Sequence, residues 1–253
     1  MVNGNQTGSP LRRWLLWLLA AFIALQVFFV GRIALMAVID PQSTAFQRSE
    51  AWRLARDDYR HRKWSQQWLD YDRISPQLKR AVIASEDGGF TAHEGVEWDA
   101  LEAAWLRNEK LAEQAERQAT RARDPAQVKP AKVIGGSTIT QQLAKNLLLS
   151  GERSLLRKGQ ELVLALALES CLSKRRILEI YLNSVEWGEG VFGAEAAARR
   201  YFGKSASQLT AHEAARLAVL LPAPKRYEQR PGSAYLAGRA ATIVARMGGV
   251  ALP

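Results

Sequence analysis

The chain has 253 residues, with 35 basic against 25 acidic side chains, a net charge of +10 and a pI near 10. A hydrophobic fraction of 47% with 24% charged residues excludes wholesale disorder and supplies enough apolar material for one large domain, or a domain plus an anchor. The basic excess suits anionic lipid, a phosphate-bearing substrate or nucleic acid. No RNA-binding aromatic motif, zinc-finger spacing or basic-leucine repeat accompanies it, so no nucleic-acid partner is expected. The single cysteine, Cys171, excludes an intrachain disulfide.

The first ten residues are small and polar and read as a tail. Arg12 and Arg13 follow, and Trp14 to Val30 then runs without a charge, Gln26 being its only strongly polar residue. As a helix that run is roughly 25 Å long against a hydrocarbon core of ~30 Å, and the apolar stretch resumes beyond Arg32. Trp14 and Trp17 sit where an interfacial aromatic belt would, and no small-residue cleavage site follows. The expectation is one transmembrane anchor over 14–39 behind a cytoplasmic tail, 1–13. Residues 40–72 are rich in Arg, Lys, Trp and Tyr; they read either as a segment lying at the headgroups or as a connector packed on the domain.

Ser75 and Pro76 start a helix, as N-cap and first helical residue, and Leu78, Ala81, Val82 and Ala84 give it an apolar stripe. Gly88 and Gly89 are expected to stop it, leaving Glu86 in the last turn. Partial burial and the negative end of the helix dipole both raise a carboxylate's proton affinity there, which is how a general base or acid is made. Trp98 to Trp105 reads as helical, and Arg107–Lys132 as a solvated helix until Pro125 and Pro130 break it. Such a segment is either a lid over the site or a neutral insertion.

In GGSTITQQLAKN (135–146), Thr138 and Gln141 form a capping box, and the helix start offers free N–H groups to an anion with Lys145 two turns on. The order Gly-x-x-x-x-Gly-Lys is absent, so this is no nucleotide P-loop. Arg153, Arg157 and Glu161 fall four apart on the next helix, with Lys158 beside them, and from Leu162 onward that helix is apolar nearly all round and reads as buried. Lys174–Asn183 is a further helix, followed by a turn carrying Gly188, Gly190 and Gly193 and a short helix, Ala194–Phe202. Leu209–Ala214 holds a second capping box with a hydrophobic staple, and a last apolar helix spans Tyr235–Met247. No period-two run of any length appears, so the domain reads as mainly α.

Together, SEDGGFTAHEG, GGSTITQQLAKN, RKGQE and KRRILEIYLNSVEWGEGVFGAEAAARRYFGK resemble the peptidoglycan glycosyltransferase family, in the family's order, over roughly 73–224. The resemblance is to its monofunctional members, for neither Ser-x-x-Lys nor Lys-Thr-Gly occurs and the serine acyl-transfer machinery is missing. It implies a lysozyme-like helical domain over 73–253 with a smaller membrane-hugging jaw lobe. The implied activity is polymerisation of lipid II into β-1,4 glycan with inversion and loss of undecaprenyl diphosphate. By the same resemblance, Glu86 is the general base and Glu161 a second carboxylate that orients or helps neutralise the donor diphosphate. Lys145, Arg153 and Arg157 match diphosphate-binding positions, and Ser137, Thr138, Gln141, Gln142 and Asn146 the substrate-contacting second motif. Asp87, Phe90, His93, Lys158 and Asn183 take supporting places, His93 as a local hydrogen-bonding group rather than a reactive one.

No organic cofactor is implied; a divalent cation (Mg or Mn) at the diphosphate is allowed by the family pattern. Its partners would be lipid II, the growing lipid-linked glycan, the inner membrane and other cell-wall synthesis or division proteins, with the catalytic domain periplasmic. The sequence departs from the pattern at Gly88–Gly89, where bulkier residues are usual, so a looser catalytic loop is expected. Two rivals stand beside this reading. A lysozyme-like hydrolase or lytic transglycosylase would also use two carboxylates, but cleaving a sugar–sugar bond leaves the cationic row without a diphosphate to stabilise. A catalytically idle membrane scaffold would have no use for intact acids and cations. A zinc hydrolase is disfavoured because His93-Glu94 lacks the second His of His-Glu-x-x-His.

Overall fold

A computed structural model describes residues 10–56, 64–121, 136–149 and 154–253, apart from the side chains of residues 100, 119, 121 and 155. The described residues form a mainly helical protein. Helix α1 (Pro10–Leu35) is the one helix among them long and apolar enough to cross a membrane, and nearly all of it stands clear of the domain. Its last turns, Ile33 and Met36, enter the core. After it come α2 (Ala45–Arg56) and a two-residue strand β1 (Ser65–Gln66).

Helix α3 (Pro76–Glu86) begins as its sequence requires: the Ser75 hydroxyl accepts from the Gln77 amide, and Pro76 fills the first position, where no N–H is needed. Its stripe of Leu78, Ala81, Val82 and Ile83 is buried. Removing about 1.5–3 kcal/mol of apolar surface per large side chain from water fixes which way the helix faces. Helix α4 (Trp98–Arg121) is largely exposed. Next are α5 (Ile139–Leu148), α6 (Leu155–Cys171) and α7 (Lys174–Ser184), capped by Thr138, Ser154 and Ser173. The remaining elements are β2 (Glu186–Gly188), β3 (Val191–Phe192), α8 (Ala194–Phe202), α9 (Ala211–Ala218), α10 (Pro224–Tyr227) and α11 (Ala234–Met247).

The core lies where α3 packs on α9 and α11, and where α5 packs on α6 and α7. Tyr181, Trp187, Phe90 and Phe192 are its largest fully buried side chains. The small sheet runs β1-β3-β2, with β1 parallel and β2 antiparallel to β3. It closes the turn after α7. There Gly193 has φ +85°, and a Cβ would stand 2.8 Å from the Asn183 carbonyl oxygen, so only glycine fits.

The segment after α2 packs on the domain at its described end. Leu69 and Tyr71 are buried, and the Asn183 side chain grips Leu69 at both ends, accepting from its amide (2.8 Å) and donating to its carbonyl (2.9 Å). Helix α2 is held by Gln47, which donates to the Ser184 carbonyl, and by Glu50, which takes both Arg53 and Lys225. Lys225 also lies 3.6 Å from buried Glu186, whose carboxyl burial pushes up to about 7 against the pull of Lys225.

Two local expectations are corrected. The α3 helix is stopped by Asp87, whose backbone turns to φ −162°, and not by left-handed glycines at 88 and 89. Helix α6 is not buried all round: Val163 and Leu166 are exposed, because the helix packs on α5 and α1 and leaves part of its apolar surface uncovered.

Candidate active site

Glu86 ends α3 at the edge of a cleft of about 630 Å³, whose walls include Gly88, Glu97, Arg107, Ser137 and Arg246. Its carboxylate is half-buried and meets neutral donors. Gln142 Nε2 donates to Oε2 at 3.0 Å, and the Ser85 hydroxyl to Oε1 at 3.3 Å. Gln142 is itself held by the fully buried Tyr181 hydroxyl, which donates to its Oε1 at 2.9 Å. That bond fixes which end of the amide faces Glu86. Burial raises the proton affinity of Glu86; the two hydrogen bonds and the Arg239 charge pull it back in part, and the sum stays upward.

Asp87, one residue on, is a clasp. Its Oδ2 accepts from the Ile139 amide at the start of α5 and its Oδ1 from His93 Nε2, each at 2.9 Å. The Gly95 amide donates to His93 Nδ1 at 3.1 Å, which makes Nδ1 the acceptor and puts the proton on Nε2. Thr138 then donates to the Gly95 carbonyl at 2.6 Å while capping α5, and Gly95 itself sits at φ +81° with no room for a Cβ. Phe90 is buried under this loop with His93 edge-on to its ring. The 86–95 loop is thereby tied at both ends, although no side chain fills the space at Gly88.

Helix α5 sorts its two glutamines by face. Gln141 turns back to complete the capping box with Thr138 and is buried, so capping accounts for it. Gln142 points to Glu86. Lys145 and Asn146 follow three and four residues later on the same helix face, Lys145 exposed and Asn146 half-buried.

The second carboxylate, Glu161, is buried on α6 and held by two cations: Arg157 Nη1 donates to Oε2 at 3.0 Å, and Lys158 Nζ to Oε1. Lys158 also reaches Ser137 Oγ at 3.5 Å. Ser137 lines the Glu86 cleft, so it is the residue that joins the two carboxylate centres. Arg157 Nε is buried with no acceptor among the described residues. Arg153 lies outside the described residues, as does the 122–135 part of the polar insertion. Asn183 stands apart from the cleft, in the structural clamp on Leu69.

Asp87, His93 and Glu97 bring three potential ligand atoms within 4.8 Å of one another, the one such cluster among the described residues. They do not fit a metal. Both Asp87 oxygens and both His93 nitrogens are already committed to partners whose loss would unfasten the loop.

Three residues in or behind the cleft were not singled out from the sequence. Tyr181 is fully buried behind Gln142. Arg239, whose charge acts on Glu86, and Arg246, in the cleft wall, lie seven apart on α11. That spacing puts both on one helix face and was the available signal. A second cavity of about 540 Å³ opens around Phe202 and Leu220 and contributes no side chain to the Glu86 cleft.

A carboxylate of raised proton affinity, set among neutral donors in a cleft and joined through a serine to an Arg–Lys–Glu cluster, has the make-up of an enzyme site. Residues 55–248 match the family described as Transglycosylase. Relatives named biosynthetic peptidoglycan transglycosylase are similar along most of their length. One from Paraburkholderia phytofirmans is 49% identical over 249 residues (95% of this chain, 94% of the relative), and one from Burkholderia orbicola 49% identical over 262 residues (100% and 98%). A third, from Burkholderia thailandensis, is 50% identical over 249 residues (95% and 88%). The chain belongs to the transglycosylase family, and its mainly helical domain is the lysozyme-like fold expected of that family.

Proposed function

We propose that this enzyme polymerises lipid II into linear β-1,4 glycan strands, releasing undecaprenyl diphosphate. Glu86 takes the proton from the acceptor sugar's 4-hydroxyl as that oxygen attacks the donor's anomeric carbon. The new C–O bond forms as the bond to the diphosphate breaks on the opposite face, the leaving group departs with the electron pair, and the configuration inverts. No covalent sugar–enzyme adduct is needed.

Charge builds on the departing diphosphate, and fixed cations stabilise it without reorganising. Lys145, Arg157 and Lys158 serve that end, with Glu161 holding the last two in place; Arg153 belongs to the same set by its motif position. Ser137 and Gln142 face substrate, and Asn146 extends their face of α5. Thr138, Gln141, Asp87, Phe90 and His93 hold the loop and helix start in register. A divalent cation (Mg or Mn) at the donor diphosphate, by Glu161, would add positive charge at the same end.

The single observation that carries this reading is the placing of Glu86 among neutral donors, in a cleft joined through Ser137 to the Arg157–Lys158–Glu161 cluster. The apolar helix α1 fits a single-pass anchor. The anchor is placed in the bacterial inner membrane, with Arg12 and Arg13 cytoplasmic and the domain over 73–253 periplasmic, behind the connector 40–72. In that topology both polyprenyl tails share the membrane with α1. Other wall-synthesis or division proteins are expected partners at the same membrane.

The test uses detergent-solubilised full-length protein, fluorescent lipid II and gel separation before and after muramidase. A muramidase-sensitive ladder is expected, insensitive to β-lactam and blocked by a phosphoglycolipid that mimics lipid II. Lipid II binding without a ladder would leave a scaffold, and shortening of added glycan would make the enzyme a cleaving one.

A further inference from the structure

Gln26, the one strongly polar residue in the anchor's apolar run, has a specific partner. Its side-chain amide and that of Gln160 on α6 exchange both hydrogen bonds, at 2.9 and 3.2 Å. Both side chains are half-buried, and the contact crosses 134 residues of sequence. It lies in a longer seam. Phe29, Ile33 and Met36, at helical spacing after Gln26, pack against the core from the same side of α1. Arg176 then holds the end of this segment, donating to the Met36 carbonyl and to Asp40, each at 2.7 Å.

Two directions follow from these pairings. Because Gln26 meets Gln160 while Met36 meets Arg176, the chain from α6 into α7 runs the same way as α1. The N-terminal turn of α6, with Arg157 and Lys158, is therefore its membrane-side end. The exposed apolar side chains on α6 agree: Leu156 is 89% exposed, Val163 47% and Leu166 45%, on a helix that lies against a membrane anchor. A half-buried amide left unpaired would be costly, so the reciprocal pair fixes how the two helices register. Gln160 directly precedes Glu161, the residue that organises both cations.

We propose that the anchor is a working part of the enzyme, in which the Gln26–Gln160 pair sets the position of the Arg157–Lys158–Glu161 cluster against the bilayer. Gln26 and Gln160 are then positioning residues for a diphosphate carried at the membrane surface. This rests on the reading of that cluster as the donor-diphosphate site.

The experiment uses the full-length chain in lipid vesicles, with three readouts. Cysteines placed at 26 and 160 in a Cys171→Ala background should join rapidly through a short bis-maleimide. Gln26→Leu, which is acceptable to lipid, should raise KM for lipid II about three- to tenfold, as expected for loss of one half-buried side-chain pair, with the domain's unfolding midpoint unchanged. Gln160→Leu should do the same, and the double variant should be no worse than either single one. Absence of the cross-link overturns the proposal, as do additive losses or an active wild type beside an unaffected Gln26→Leu. A wild type that binds but never polymerises lipid II removes the functional reading itself, and the positioning role with it.

Discussion

The two carboxylates of the site are held by opposite kinds of partner. Glu86 receives hydrogen bonds from an amide and a hydroxyl, neither charged, and burial raises its proton affinity. Glu161 is more deeply buried and sits between a guanidinium and an ammonium. A carboxylate that must accept a proton needs neutral company, because a paired cation would hold it in its ionised form. A carboxylate that must hold cations in place needs the ion pairs. In the proposed mechanism the same residue type thus serves two tasks, set by neighbours that come from different helices.

The sharpest way to break this contrast is to neutralise the base. Glu86→Gln should lower polymerisation by about a thousandfold, the scale of general-base catalysis, while lipid II binding persists in a fluorescence assay. Substantial turnover would remove Glu86 from the role. On the other side, Arg157→Ala should cost about ten- to a hundredfold, in both KM for lipid II and turnover, because it removes a fixed cation and leaves Glu161 with one partner. An unchanged rate would make the Arg157–Glu161 pair purely structural.

Smaller changes tune the contrast. Tyr181→Phe frees the Gln142 amide to turn its oxygen toward Glu86. Losing a donor to the carboxylate favours its protonated form, so the acid limb of the pH–rate profile should move to higher pH, with a loss of about three- to tenfold at neutral pH. The smallest effect on activity belongs to Glu186, which is buried outside the cleft. Its pKa is raised from 4.5 to about 7 on folding, so the stability of burying it uncharged is full below pH 4.5 and is lost as pH rises to 7. Glu186→Gln should flatten that window in thermal unfolding, by about 1–3 kcal/mol across it, and leave turnover near wild type.

Much of this was legible in the sequence wherever the cause was local. The capping boxes at Thr138 and Thr210, the Ser75–Pro76 start and the end of α8 at Gly203 all depend on residues within one turn, and each forms where the spacing predicts. Glu86 was placed correctly at its helix end, but its partner Gln142 is 56 positions away and the Tyr181 that holds Gln142 is 95 away, and they meet only through the packing of α3, α5 and α7. The sheet was missed because strands of two or three residues are too short to show a period. Gln141 and Gln142 look alike in the sequence; a rotation of about 100° per residue sends one to the cap and the other to Glu86. The apolar outer face of α6 misled for a related reason, since a face beside a membrane anchor has the same composition as a buried one.

The most direct test of the central claim is the pH dependence of lipid II polymerisation by the full-length enzyme, compared with Glu86→Gln over the same range. The wild type should lose activity on the acid side with an apparent pKa above 4.5, and the residual rate of Glu86→Gln should be flat there. An acid limb that persists unchanged in Glu86→Gln, or one lying at or below 4.5 in the wild type, would contradict Glu86 as a base tuned by burial among neutral partners.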